Sequence, residues 1–405
     1  MTKIGMNHWN HTVIALTCGS IILLISLGIR HTFGLFLQPI TLDQGWGRET
    51  FAFAIAIQNL VWGFSQPIAG MIADRIGAKS MIMLGALFYA VGLGSMSSIT
   101  NELLFIFSSG VLIGIGLSGT TFPVIFGAIS RLLPPEKRSL AMGVTMSVGS
   151  FGQFALLPIS LWLLNWFDWQ ITLIIFSVLA LTMLFLALGI RESDNPISKG
   201  NSERTMTQTL RIAFGNRDFW FLSIGFFACG FQVVFIALHL PVFLTDNGLG
   251  SYVGTTVLAL IGLVNIVGTY YAGLWGGSLR KPLLLSWIYL GRALVIIAFI
   301  LFPITNISAF LFGAFMGLFW LATIPLTNGT IATIWGVKHL SMLSGIVFLC
   351  HQLGSFFGGW IGGWLYDNMG NYDLAWGIAI GISLFSAVIN FPIREQPLSG
   401  RKIMT

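Results

Sequence analysis

The sequence predicts an all-α membrane protein: twelve transmembrane helices in two pseudo-symmetric six-helix bundles. Three observations predict it. Of the 405 residues, 55% are apolar and only 8% charged, whereas a soluble domain carries about 25% charged residues, so the chain cannot build a water-soluble surface. The apolar residues fall in successive runs long enough for a helix to cross hydrocarbon, which takes roughly 20 residues. The basic residues gather on alternate connections, as Lys and Arg do on the cytoplasmic side of a membrane.

In chain order, the apolar runs place spans at 12–40, 50–73, 80–98, 102–130, 139–165 and 169–190, and then at 217–244, 251–277, 282–302, 306–334, 341–366 and 372–393. The first begins after a single Lys and stays apolar past the length of a cleavable signal, so it reads as a retained spanning helix. Charged or amide breaks bound the others: Arg48-Glu49, Asp74-Arg75, Asn101-Glu102, Glu136-Lys137-Arg138 and Asp168 in the first half, then Arg217-Asp218, Asp246-Asn247, Arg280-Lys281, Lys338 and Asp373 in the second. The longest hydrophilic break, 191–216, separates an N-terminal bundle (1–190) from a C-terminal bundle (217–405) and reads as a cytoplasmic linker. With an offset of 202 residues, Pro123 falls on Pro325, Ser139 on Ser341 and Gly143 on Gly345, so the halves repeat. Such repeats place a binding site at the bilayer midplane and make alternating access the expected mechanism.

Of the 20 basic residues, Arg48 alone falls outside and Arg30 and Arg292 fall within spans, which leaves 17 inside if both termini are cytoplasmic. One miscounted helix would scatter them. The pI of about 9.4 is therefore an orientation signal for an inner-membrane protein, with no nucleic-acid partner implied. Cys18, Cys229 and Cys350 lie far apart with no metal-ligand spacing, no phosphate-binding loop occurs, and no cofactor is expected.

The loop after span 2 reads Gly70-Met-Ile-Ala-Asp74-Arg75-Ile-Gly77-Ala-Lys79. It resembles the major facilitator superfamily signature G-x-x-x-D-R-x-G-x-K/R, at the place where that family carries it. A carboxylate near the cytoplasmic end of a helix is badly placed against the helix dipole unless a cation answers it, and Arg75 or Arg138 could do so. The resemblance implies that this cluster latches the cytoplasmic side in the outward-open state. At the offset position Gly273 to Lys281 has no Asp, so any latch there should be weaker. Lys137-Arg138-Ser-Leu140-Ala141-Met-Gly143, and His351-Gln352-Leu-Gly354-Ser355-Phe-Phe-Gly358 continuing to Tyr366-Asp367, resemble the monocarboxylate and oxalate/formate transporter branch. Three features depart from it: the Asp-Gly-Gly-x-Gly-Trp start of helix 1 is absent, span 8 holds no charge, and Gly110 stands where proton-coupled superfamily members often carry Arg.

All 14 acidic residues fall in loops or at helix ends. A proton-driven cation or drug pump usually needs an embedded carboxylate; this chain has none. Arg30 with His31, His239, Arg292 and His351 lie within spans instead. A buried Arg costs at least about 2.5 kcal/mol at a helix centre, so with no acid beside it the natural counter-charge is a small-molecule anionic substrate. Arg30 is the first candidate, since helix 1 lines the cavity in this superfamily; the alternative is pairing with Asp43. Arg292, in a span usually peripheral, could instead bond carbonyls or Asn265. His239 and His351 could carry a coupling proton or bridge helices, Gln232 and Asn328 could orient substrate or glue helices, and Trp320 could wall the substrate. The reading is a monomeric secondary transporter of an organic anion, a carboxylate, by symport or antiport with a proton or counter-anion. An efflux pump of the same fold is the alternative. An enzyme would need clustered catalytic groups at one membrane face, and a receptor an output module that the 191–216 linker cannot supply.

Overall fold

The computed structural model describes residues 3–190 and 205–398, and no strand occurs among them. The charges expected at 191–204 and 399–405 lie outside the described residues. Helix α1 runs Lys3–His31 and continues through a 3-10 turn, Thr32–Phe36, into Leu37–Gln44. It is followed by α2 (Arg48–Ile76), α3 (Ala78–Met96), α4 (Glu102–Leu132), α5 (Pro135–Trp166) and α6 (Trp169–Ala187). A short helix, Met206–Phe214, precedes α7 (Arg217–Asp246), α8 (Ser251–Trp275), α9 (Lys281–Leu301), α10 (Asn306–Trp335), α11 (Leu340–Met369) and α12 (Asp373–Asn390). The chain is thus the multi-pass, twelve-helix protein that the sequence predicts.

Helix starts carry the side chains that free N–H groups need. Asn101 accepts from Leu104 N–H, Asp168 from Ile171 N–H and Asn216 from Asp218 N–H, while Thr305 and Ser308 form a reciprocal cap. Pro135 and Pro282 occupy first-turn positions of α5 and α9, where a missing N–H costs nothing. Within the expected linker, Thr205 and Gln208 build a capping box for the short helix, which the hydrophilic sequence of that break conceals.

Eleven of the helices are apolar enough to be spans on hydropathy alone. The twelfth is α2, and its 29 residues carry Gln58, Asn59 and Gln66. Gln58 and Gln66 are fully buried. Gln58 Nε2 donates to the Ser109 carbonyl at 2.7 Å, and Gln66 Nε2 to the Ser118 carbonyl at 2.8 Å. These acceptors lie in α4, which is π-helical over Phe107–Leu112 and breaks at Thr121, whose backbone is extended. Hydrocarbon holds no water to take up the freed carbonyls, so α2 supplies amides and loses hydropathy by doing so.

The described residues form two compact units. The first contains α1 to α4 through Pro134, residues from Val148 to the end of α6, and Val337–Gly345; the second contains Pro135–Ser147, the short helix with α7 to α10 through Gly336, and residues from Ile346 onward. Within the first, α3 packs on α4 and α6, α2 on α4, and α1 on α6; within the second, α9 packs on α12, α8 on α10, and α7 on α12. The pairings repeat at the six-helix interval. Gly85 sets one of these approaches, because a Cβ there would stand 2.8 Å from the Gly116 carbonyl oxygen and from Gly119 Cα. Small residues at such crossings let membrane helices touch backbone to backbone.

Replacing Gln66 with Leu should leave the Ser118 carbonyl unanswered and destabilise the protein by roughly 1–3 kcal/mol. Thermal unfolding in detergent should show the loss for Gln66→Leu and little change for Gln38→Leu, whose side chain is exposed.

Candidate functional site

In the first unit Arg30 stands two residues before the 3-10 segment of α1, where Thr32 Oγ1 donates to the Ile29 carbonyl at 2.8 Å. Its Nη2 donates to Asn59 Oδ1 of α2 at 2.8 Å, and its Nε is buried with no hydrogen-bond partner. Tyr89, fully buried on α3, donates its hydroxyl to the Ser26 carbonyl, one turn before Arg30, at 3.0 Å. No carboxylate pairs with Arg30 among the described residues. Asp43, the alternative partner, instead accepts from Trp169 Nε1 at 3.2 Å and from the amides of Gln44 and Gln170. His31 is exposed. Farther along α2, Trp62 Nε1 donates to Gln66 Oε1 at 2.9 Å, continuing a polar line beside the α4 break.

In the second unit Arg292 is wholly buried and every neighbour is part of the fold. Helix α10 breaks at Trp320–Ala322, between Asn306–Phe319 and Thr323–Trp335. Arg292 Nη2 donates to the carbonyls of Phe319, at 2.8 Å, and Trp320, while Nε reaches Phe319 O at 3.2 Å. Its Nη1 donates to Gln232 Oε1 at 3.1 Å, and the cation lies 5.6 Å from the Tyr289 ring. Asn265 Oδ1 accepts from the Leu321 N–H at 2.9 Å, from the other side of the break. Arg292 therefore repairs a broken helix, as the carbonyl alternative expects, although Asn265 works beside it rather than as its partner. Gln232 is committed too, donating to the Ala379 carbonyl at 2.9 Å.

The remaining expected residues separate by surroundings. His239 Nε2 bridges to the Gly359 carbonyl at 2.9 Å, an interhelical link from α7 to α11. Trp320 is buried at the break, and Asn328 is buried with Nδ2 on the Ile324 carbonyl and Oδ1 unpartnered. His351 is buried, with Nδ1 3.3 Å from Gln352 Oε1 and Nε2 unpartnered.

The signature loop resolves differently from either option read in the sequence. Asp74 pairs with Arg131 of α4, Nη1 to Oδ1 at 2.9 Å, not with Arg75 or Arg138. Its carboxylate also accepts the N–H groups of Ser341, at 3.3 Å, and Met342, at 2.8 Å, in the first turn of α11. A carboxylate is favoured at a helix N-terminus by the dipole and the free N–H groups. Gly70 makes room, since a Cβ there would strike the Ser341 carbonyl, and Gly77, at φ +103°, turns the chain from α2 into α3. Arg75 and Lys79 are exposed. Arg138 belongs to the second unit, where with Lys281 it lines a cavity of about 250 Å³. There Lys281 Nζ meets Glu395 Oε1 at 2.5 Å, and the Lys281 N–H donates to Glu395 Oε2 at 2.7 Å. The acid missing from Gly273 to Lys281 is thus supplied from beyond α12.

Arg131, Tyr89 and Glu395 are the contributors the sequence reading passes over. Arg131 is the last basic residue before Pro134-Pro135, so its place at a helix end was the available signal. Nothing local marks Glu395.

The model of the Major Facilitator Superfamily matches residues 16–328. Monocarboxylate transporter 13 of Rattus norvegicus is 24% identical over 363 residues, spanning 87% of this chain and 82% of its own length. An uncharacterized MFS-type transporter, YcxA, of Bacillus subtilis (strain 168) is 26% identical over 379 residues, spanning 89% and 90%. The fold is shared with the E. coli fucose:proton symporter FucP, at TM-score 0.69 and 15% identity over 93% of this chain and 98% of that one. It is shared equally with the proton:xylose symporter XylE, at TM-score 0.71 and 16% identity over 96% of each chain.

If Asp74 and Arg131 act as one unit, the stability losses of Asp74→Asn and Arg131→Gln will not add. A double-mutant cycle by thermal unfolding should give a coupling of about 0.5–3 kcal/mol, and strict additivity would remove the pair.

Proposed function

We propose that this chain, which belongs to the major facilitator superfamily, moves a small organic anion, a carboxylate, across the inner membrane by alternating access. It is a transporter and not an enzyme. The observation that carries the substrate class is Arg30: a cation in the membrane with one donor on a neutral amide, a buried Nε without a partner, and no carboxylate paired with it among the described residues. Asp43 is occupied by Trp169, Gln44 and Gln170, which leaves the charge to be met by a ligand. A planar guanidinium suits a carboxylate, because two parallel N–H groups can grip both oxygens. The monocarboxylate transporter relatives are named for that class of solute, which supports the same reading.

The second unit then contributes shape more than charge. Arg292 and Gln232 hold the α10 break and so fix Trp320 and Asn328, whose Oδ1 is the acceptor left open there. The Asp74 cluster is the latch, with Arg131 and the start of α11 as its receiving side. When it releases, a carboxylate would lose a cation and two N–H groups together, so the cluster can hold one conformation firmly and another not at all. Both termini are cytoplasmic in this reading, on the distribution of the basic residues.

Thermal stabilisation of the detergent-purified protein against matched panels of organic anions, cations and neutral solutes tests the substrate class. A ligand at about 100 times its dissociation constant should add about 2.7 kcal/mol. The expected result is a shift with carboxylates that disappears in Arg30→Gln, together with loss of uptake at normal expression. A shift with lipophilic cations alone would replace this reading with efflux of amphipathic compounds.

A further inference from the structure

The cavity lined by Arg138 and Lys281 in the second unit, about 250 Å³, has no part in the transport reading. It lies where α5 and α9 begin and α10 ends, with Pro135, Gly329, Thr333 and Pro397 also in its wall. About 10–15 Å³ of such space admits one water, so a small molecule fits. Arg138 and Lys281 both belong to the first turns of their helices, where free N–H groups and the dipole favour an anion. The lining residues include no acid among those described.

The protein answers Lys281 only in part. Its Nζ meets Glu395 Oε1 at 2.5 Å and donates to Thr333 Oγ1 at 3.4 Å, which accounts for two of its three N–H groups. Thr333 in turn gives its hydroxyl hydrogen to the Gly329 carbonyl, at 3.0 Å, so it positions the ammonium and has no donor left to offer. Ser139, next to Arg138 on α5, does have one: it is buried, and its Oγ has no hydrogen-bond partner. This hydroxyl lies 3.8 Å from the point where a Cβ on Gly329 would stand, and the same point lies 2.8 and 2.9 Å from Cδ and Cε of Lys281. Ser139 Oγ and the Lys281 stem therefore flank one glycine of the cavity wall. A buried hydroxyl left without a partner is destabilising, and an acceptor on a ligand would relieve it.

We propose that this cavity is a binding site for a phosphate group, held by the Lys281 ammonium, the Arg138 guanidinium and the Ser139 hydroxyl. A tetrahedral phosphate presents three terminal oxygens to donors from two helices, whereas a planar carboxylate presents two, and both Arg and Lys are phosphate-binding side chains. The group belongs to free phosphate or to a lipid headgroup, since the cavity lies at helix ends. Arg30 is part of the first unit, so the site stands whether or not that residue binds the transported solute.

Binding of radiolabelled inorganic phosphate to the delipidated, detergent-purified full-length protein tests the site. One saturable site is expected, about tenfold weaker in Arg138→Gln through loss of a charge-assisted hydrogen bond. Ser139→Ala should also bind more weakly, with no fall in unfolding temperature because its hydroxyl has no partner within the protein; this variant decides the matter should Arg138→Gln misfold. Arg30→Gln should bind phosphate as the wild type does, and loss of binding there would assign the ion to the transport site and overturn the inference. So would the absence of saturable binding, an unchanged affinity in both site variants, or displacement of the label by an equal concentration of acetate. In phosphatidylcholine nanodiscs, added phosphatidic acid separates the two sources, and either result upholds the site: displacement of the label means that a lipid headgroup reaches it, and undiminished binding reserves it for free phosphate.

Discussion

A helix that breaks inside hydrocarbon must find partners for its freed carbonyls and N–H groups within the protein, since no water is there to take them. This requirement organises both units. In one, Gln58 and Gln66 of α2 answer the carbonyls of Ser109 and Ser118 in α4. In the other, Arg292 and Asn265 answer both sides of the gap in α10. The six-helix repeat has kept the device while changing its chemistry, from neutral amides in the first unit to a guanidinium in the second. A neutral repair needs nothing further. A charged repair requires compensation, and that difference separates the polar groups around Arg30 from those around Arg292.

How far the sequence was legible follows from how local each determinant is. Helix number and order could be read because each span states its length and ends in its own residues, down to the break at Asp168 that turns out to cap α6. The amides of α2 were visible as polar residues, but their purpose was not, because it depends on irregular backbone in α4 that apolarity does not announce. Arg30 and Arg292 look alike as isolated cations in apolar runs. Only packing separates them, one half-buried with an open donor and the other enclosed by carbonyls. Asp74 was recognisable from its loop, yet its partner Arg131 lies 57 residues away, and no spacing rule joins them.

Two ion pairs outside the apolar interior, Asp74–Arg131 and Glu395–Lys281, show one principle with two executions. Asp74 answers Arg131 and the first N–H groups of α11, while Glu395 answers the Lys281 ammonium and the first N–H of α9. Each carboxylate satisfies a helix start and a cation together, so neither is a simple surface contact of the kind that contributes little. At the six-helix offset Lys79 falls on Lys281 and Arg131 on Thr333, and Lys281 Nζ reaches Thr333 Oγ1 at 3.4 Å. The repeat therefore preserved positions while the acid moved to another part of the chain.

That displacement of the acid has a consequence for biosynthesis. Glu395 is 114 residues downstream of the N–H that it caps. A ribosome must therefore make α10, α11 and α12 before the start of α9 can acquire its carboxylate. Until then α9 begins with an unanswered ammonium and an uncapped N–H, and its insertion must rely on apolarity alone. The second unit is finished from its tail, so a nascent chain halted just after α12 would be threaded through the bilayer yet still unfastened at one of its earlier helices.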